Sequence, residues 1–172
     1  MVTHPKNIVT IEKGKCRNVL IKPDVRIGCG VETFFFPVNS RRGLKVFAEK
    51  KNANNSFRRQ KKAAKHGLGP EVLCDKVFEV VIPLGFEHLL KDKLLIKDLF
   101  DMFEDNVGYG YYTQIIKLVK DENDYTTKEE ADLVRELYKL FPKVSLDDIH
   151  SENVGRIKGK LVMVDFGDES AS

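Results

Sequence analysis

The chain has 172 residues, about one domain's worth, enough for one sizeable core and not two independent ones. Lysine and arginine number 29 against 26 aspartates and glutamates, a net charge of +3, which from bulk charge argues for neither nucleic-acid nor membrane binding. Hydrophobic residues make up 42% and charged residues 32%, a globular composition that argues against disorder. No apolar run approaches the ~18 residues of a membrane span, and the start, Met1 to Lys6, leads into no apolar signal core. Cys16, Cys29 and Cys74 are odd in number and scattered, which fits neither a disulfide framework nor a zinc site and points to a reducing cytoplasm.

In chain order, Val19-Leu20-Ile21 is a short strand broken by Pro23-Asp24. Residues 25–27 lead into Gly28-Cys29-Gly30, and 33–38 is aromatic and β-favouring. After a turn at 39–43, the stretch 44–48 is another strand. The opening therefore reads as an antiparallel meander of about three strands. A helix follows, with Asn55 or Ser56 as its cap, Phe57, Ala63 and Ala64 as a narrow apolar face and Gly67 as its stop. Residues 72–73 and 77–82 read as strand. Apolar residues at three- and four-residue steps over 86–103 predict a helix, broken once. The β-formers of 109–118 predict a strand. Either Thr126 with Glu129 or Thr127 with Glu130 makes a capping box. The helix it opens turns Leu133, Val134, Leu137, Leu140 and Phe141 inward and ends before Pro142. Residues 147–155 read as a loop and 161–164 as a buried strand running into Asp165-Phe166-Gly167.

Three signals stand in the order a phosphoryl-transfer site requires. The first is Gly28-Cys29-Gly30, whose turn would expose backbone amides to phosphate oxygens. Read alone it is a hairpin turn, and position 33, where a G-x-G-x-x-G loop has its third glycine, is Thr33. The second is Lys45, centred among Leu44, Val46 and Phe47. By itself it reads as a solvated lysine on an edge strand; in this company, as an inward lysine that meets nucleotide phosphates. The third is Asp148-Ile149-His150-Ser151-Glu152-Asn153, followed by the strand that delivers Asp165. A carboxylate to orient a hydroxyl and hard oxygen ligands for Mg²⁺ are the requirements of phosphoryl transfer.

With those residues in place, the chain resembles the protein-kinase-like superfamily from about residue 20 to residue 168. Gly43-Leu44-Lys45-Val46-Phe47 resembles the lysine-bearing strand, with Lys45 in the position of the V-A-I-K lysine. Residues 148–153 resemble the D-x-H-x-x-N catalytic loop of aminoglycoside-phosphotransferase-like and atypical kinases, and 163–167 the metal-binding D-F-G. The resemblance implies ATP and Mg²⁺ as cofactors. It gives Lys45 the α/β-phosphates, Asp148 the catalytic base, and Asn153 and Asp165 the metal. Gly28 and Gly30 fall at the phosphate loop. Residues 112–116 fall at the hinge, with Thr113 beside the adenine and the backbone of Gln114, Ile115 and Ile116 bonding it. The expected fold is α+β and two-lobed. An antiparallel N-lobe sheet of about five strands spans 1–112, and a hinge with a reduced C-lobe spans 113–172.

Two departures qualify the resemblance. The helix that normally carries a glutamate partner for the lysine reads Phe57-Arg58-Arg59-Gln60-Lys61-Lys62-Ala63-Ala64-Lys65. Gln60 can hydrogen-bond Lys45 without neutralising it, and Glu32 or Glu71 are the substitute acids. The chain also stops at Ser172, so the activation segment, the A-P-E motif and the base of the large lobe are expected to be absent, as in minimal kinases of phages and bacterial effectors. The leading expectation is a kinase acting on Ser or Thr of a protein in a bacterial or host-cell cytoplasm. A catalytically silent pseudokinase or nucleotide-binding module comes second, and a small-molecule kinase third. The basic stretch 58–65 is a solvated helix face or a docking patch for an acidic or phosphorylated partner. It has no aromatic interleaving for single-stranded nucleic acid, and neither nucleic acid nor membrane is expected as a partner.

Overall fold

The computed structural model describes residues 7–20, 28–29, 33–82, 103–144, 149–151 and 153–166. The chain divides into two compact units: Met1–Asn54 with Leu73–Thr113, and Asn55–Val72 with Gln114–Ser172. The class is α+β, an antiparallel sheet with two α-helices among the described residues.

The first unit is built on a sheet whose described strands are β1 Asn7–Glu12, β2 Lys15–Leu20, β3 Gly28–Cys29, β4 Thr33–Pro37, β5 Arg42–Phe47, β6 Phe78–Val81 and β7 Val107–Gln114. They run in the order β2-β1-β6-β7-β5-β4-β3, seven strands where about five were expected. β1 pairs antiparallel with β2 and β6, β6 with β7, and β4 with both β3 and β5. The β1–β2 hairpin begins well before the first strand expected at 19–21. Its turn is Lys13-Gly14, both at positive φ (51° and 75°), the geometry a two-residue hairpin loop demands. One face of the sheet carries the core: Ile8, Phe34, Phe36, Leu44, Val46 and Val80 are all buried there. Gly108 and Gly110 of β7 lie on that face because neighbours fill the space of their side chains. A Cβ on Gly110 would collide with the Lys45 carbonyl oxygen of β5 and stand 3.1 Å from Val80.

Helix α1, Lys50–Lys65, starts in the first unit and ends in the second. It begins five residues before the expected cap; Asn55 and Ser56 lie inside it, and Ser56 is fully buried. Burial of Ala53 and Ser56 holds the polar first turns in helical form where capping chemistry pointed elsewhere. The stop is the expected one. Gly67 takes φ 68°, its N–H donates to the Ala64 carbonyl, and the Leu68 N–H reaches back to Ala63 at 2.9 Å, a Schellman ending that only a left-handed residue permits.

In the second unit, helix α2, Thr127–Leu140, opens with the first of the two capping boxes: Thr126 and Glu129 satisfy each other's backbone N–H. Leu133 and Leu137 are buried as expected, in a core with Ala63, Leu68, Val154 and Phe166. The expected loop 147–155 is shorter than read. Val154–Ile157 forms β8, which pairs antiparallel with β9, Lys160–Met163, across a second Lys-Gly turn, Lys158 and Gly159 at φ 50° and 82°. The strand expected over 109–118 ends at Gln114; Leu118 makes only a single bridge, to Gly155. Residues 72–73 also contribute only an isolated bridge position, at Val72. The helix expected over 86–103 lies outside the described residues apart from Phe103.

Arg156 clasps the start of α2. Its guanidinium donates to both Glu129 oxygens, at 2.8 and 3.1 Å, to the Asp124 carbonyl at 2.6 Å and to the Gly159 carbonyl at 2.8 Å. The bidentate Arg156 bond, with the Thr126 N–H second, lowers the Glu129 carboxyl from its ordinary value to about 2. A carboxyl depressed in the folded state adds stability that is full above its unfolded value and fades as pH falls toward the folded one. The pair is partly exposed, so its contribution is screened and stays near ~1 kcal/mol. Arg156→Ala is therefore expected to lower stability by about 1 kcal/mol at neutral pH. The gap between variant and wild type should close between pH ~4.5 and ~2 in urea melts followed across pH. Gly110→Ala is expected to cost about 1–3 kcal/mol in the same assay, because the obstacle is the backbone of β5 and cannot rotate away.

Candidate functional site

Lys45 sits on β5, which lies between β7 and β4. It is 4% exposed, so it is not the solvated lysine of an edge strand. Its strand neighbours Leu44 and Val46 point into the core face, so alternation sends Lys45 to the opposite face. Phe47 and Tyr111 stack there at 6.1 Å, and the Lys45 ammonium lies 5.9 Å from the centre of the Tyr111 ring. Thr113, two residues along β7 from Tyr111, shares that face and is 1% exposed. Gly28 is brought in by register. Gly28 pairs with Phe35, and Phe35 with Lys45, so the three form one rung and Gly28 stands about 10 Å from Lys45. Gly28 and Cys29 are ladder residues, not the apex of a turn as expected; Gly30 lies outside the described residues.

Burying an ammonium costs several kcal/mol unless negative charge or polar groups offset it. The face of Tyr111 contributes on the order of 1 kcal/mol.

The second group belongs to the second unit. Asn153 is buried at the entrance to β8. Its Oδ1 accepts the His150 N–H at 3.0 Å and its own N–H donates to the His150 carbonyl at 3.0 Å, which closes the loop on itself. The Val164 N–H donates to the Asn153 carbonyl at 2.8 Å. The open end of the β8–β9 hairpin thus brings Asn153 beside the residue that precedes Asp165. Asp165 is exposed, whereas Phe166 is fully buried with its ring against Gly69, where a Cβ would stand 2.8 Å away. A further tie, from the Met163 N–H to the Leu68 carbonyl at 3.0 Å, fixes β9 to the chain after α1. The sequence carried both end residues but not the hairpin that joins them. Asp148, the expected base, lies outside the described residues.

At the expected hinge the backbone is partly committed. The Gln114 N–H donates to the Glu71 carbonyl at 2.8 Å, and the Glu71 N–H to the Gln114 side-chain oxygen at 3.1 Å. That N–H is taken by the protein, and Ile115 and Ile116, which follow it, are half-buried. Glu71, one of the two substitute acids, is exposed; Glu32 lies outside the described residues. Gln60 is fully buried and its Nε2 donates to the Pro70 carbonyl at 3.1 Å.

A cavity of about 320 Å³ that no residue pattern announces lies on the core side of the sheet. Glu12, Arg17, Val38, Arg42 and Tyr112 line it. The Arg42 guanidinium lies 5.1 Å from the centre of the Tyr112 ring, and the Tyr112 hydroxyl donates to Glu12 at 3.5 Å. Burial is the main cause of the raised Tyr112 pKa. Among the described residues, no three His, Cys, Asp or Glu side chains form a metal cluster, and no helix is long and apolar enough to cross a membrane.

Comparison with known proteins gives a structural similarity. No protein-family model and no curated protein matches the chain. The solved structure of the Legionella pneumophila Lpg2603 kinase bound to IP6 is similar to it with a TM-score of 0.43 and 11% sequence identity, over 97% of this chain and 61% of that one. The chain thus spans about three-fifths of the length of that structure.

Asn153→Ala removes the acceptor of the His150 N–H. It is expected to cost about 1 kcal/mol and to speed amide exchange at His150 and Val164, read by hydrogen exchange, while Asn153→Asp retains the acceptor and most of the protection.

Proposed function

We propose that the chain is a phosphotransferase of protein-kinase type, which moves the γ-phosphoryl group of ATP, with Mg²⁺, to the hydroxyl of a Ser or Thr side chain on a protein. The observation that carries this reading is Lys45, a cation buried on an interior strand, on one face with Thr113 and on one rung with Gly28. The order of Lys45, Asp148, Asn153 and Asp165 along the chain supports it.

The donor set fits the ion. Mg²⁺ keeps several waters and phosphate oxygens and takes only one or two protein oxygens, so Asn153 and Asp165 suffice without a three-acid cluster. Bound Mg²⁺ neutralises charge that develops on the transferring phosphoryl group. The chain's own residues do the remaining work. Lys45 binds and orients the α/β-phosphates where low polarity strengthens its field. Thr113 and the backbone from Gln114 to Ile116 border the adenine. Asp148 orients the acceptor hydroxyl and takes its proton.

One observation favours a second reading, a nucleotide-binding module without turnover. Helix α1 holds no acid to set the lysine, and the amide of Gln60 is engaged with Pro70.

Labelled ATP with Mg²⁺ and mixed protein acceptors separates the readings. Transfer by wild type that falls at least ~100-fold in both Lys45→Met and Asp165→Ala, with circular-dichroism melts unchanged, is the expected result. Stabilisation by ATP without transfer selects the second reading. Neither transfer nor stabilisation contradicts both.

A further inference from the structure

Helix α1 carries Lys50, Lys51, Arg58, Arg59, Lys61, Lys62 and Lys65 and no acid. At 100° per residue, Arg58, Lys61, Lys62 and Lys65 fall within an arc of roughly 100°, and all four are exposed. Ser56, Phe57, Gln60 and Ala63, on the other side, are buried. None of the four cations meets a carboxylate among the described residues: Arg58 donates to Asn55 at 2.6 Å, Lys61 lies 5.4 Å from the centre of the Phe57 ring, and Lys62 donates to the Leu140 carbonyl at 2.9 Å.

Helix α2 treats its surface differently. Arg135 pairs with Asp132 at 2.6 Å and Lys139 with Glu136 at 3.0 Å, each three residues apart. On α1 the three- and four-residue neighbours repel, at about 0.2–0.5 kcal/mol per pair. The chain has almost as many acids as bases, yet this helix tolerates the repulsion. Lys62 also lies 5.3 Å from the centre of the Phe141 ring. It thereby fastens the stripe to the end of α2, where exposed Lys143 adds another positive charge nearby in sequence.

We infer that the α1 stripe is a docking surface for an acidic protein segment, one whose carboxylates or phosphorylated side chains meet Arg58, Lys61 and Lys65. Charge complementarity argues for the occupant, and the composition of the arc selects its class. No aromatic residue faces outward on α1 to stack a nucleic-acid base. The apolar residues of α1 are spent on the core, which leaves none to enter a bilayer. Such docking adds a recognition role beyond phosphoryl transfer and does not depend on it.

The test is fluorescence anisotropy on the full chain without ATP or Mg²⁺, so that failure of phosphoryl transfer leaves it intact. The probes are a Glu-rich peptide, its phosphoserine counterpart, a Gln-substituted control, a DNA duplex and phosphatidylserine vesicles. Wild type is expected to bind the two acidic peptides, and the stronger of them identifies carboxylate or phosphate as the preferred group. The control should not bind, and affinity should fall at least ~10-fold in Lys61→Glu/Lys65→Glu. Arg58→Gln/Lys61→Gln serves as the milder variant should the reversal unfold the chain. Equal binding by variants and wild type, no binding of either acidic peptide, or tighter binding of DNA or vesicles overturns the proposal.

Discussion

A lysine ammonium held inside a sheet is the constraint on which the rest turns. Lys45 is flanked in sequence by Leu44 and Val46, which anchor one face of the sheet, and it occupies the other face at 4% exposure. A solvated lysine costs nothing to keep; a buried one is tolerated only where its surroundings supply negative charge or polar contacts. Gly110 lets β7 approach β5 at Lys45, because a side chain there would strike the Lys45 carbonyl. The strand carrying Tyr111 and Thr113 is thereby held against the strand carrying the lysine. The proposed phosphate site is therefore a property of strand packing as much as of one side chain.

Much of the fold was legible where side-chain chemistry decides backbone form. The Thr126–Glu129 capping box and the Gly67 stop stand where the sequence put them. The two hairpins were missed for one shared reason. Both turns read Lys-Gly, and each places a lysine at positive φ, which L-residues other than Asn, Asp and Gly rarely adopt. A search for Asn-Gly or Asp-Gly passes over them. The start of α1 was misjudged because no Ser, Thr, Asp or Asn stands just before Lys50 to cap it and Asn52, Asn54 and Asn55 are poor helix formers; tertiary burial of Ala53 and Ser56 decides the matter instead.

The candidate site was legible in its residues and not in its joints. Lys45, Asn153 and Asp165 stand out by type and order. That β8 exists, and ties Asn153 to the residue before Asp165, depends on the second Lys-Gly turn and was invisible with it. The same holds for the hinge. Nothing in Gln114 announces that its N–H is spent on Glu71, a contact between residues far apart in the chain. The turn expected at Gly28 is strand instead, since Gly28 serves the ladder with Phe35.

A structure of the chain with a non-hydrolysable ATP analogue and Mg²⁺ tests the central claim most directly. The account predicts α/β-phosphates on the Lys45 ammonium, adenine beside Thr113, and the metal held by the Asn153 and Asp165 oxygens. A nucleotide seated away from Lys45, or a Lys45 ammonium neutralised entirely by protein groups with no phosphate near it, would contradict the account.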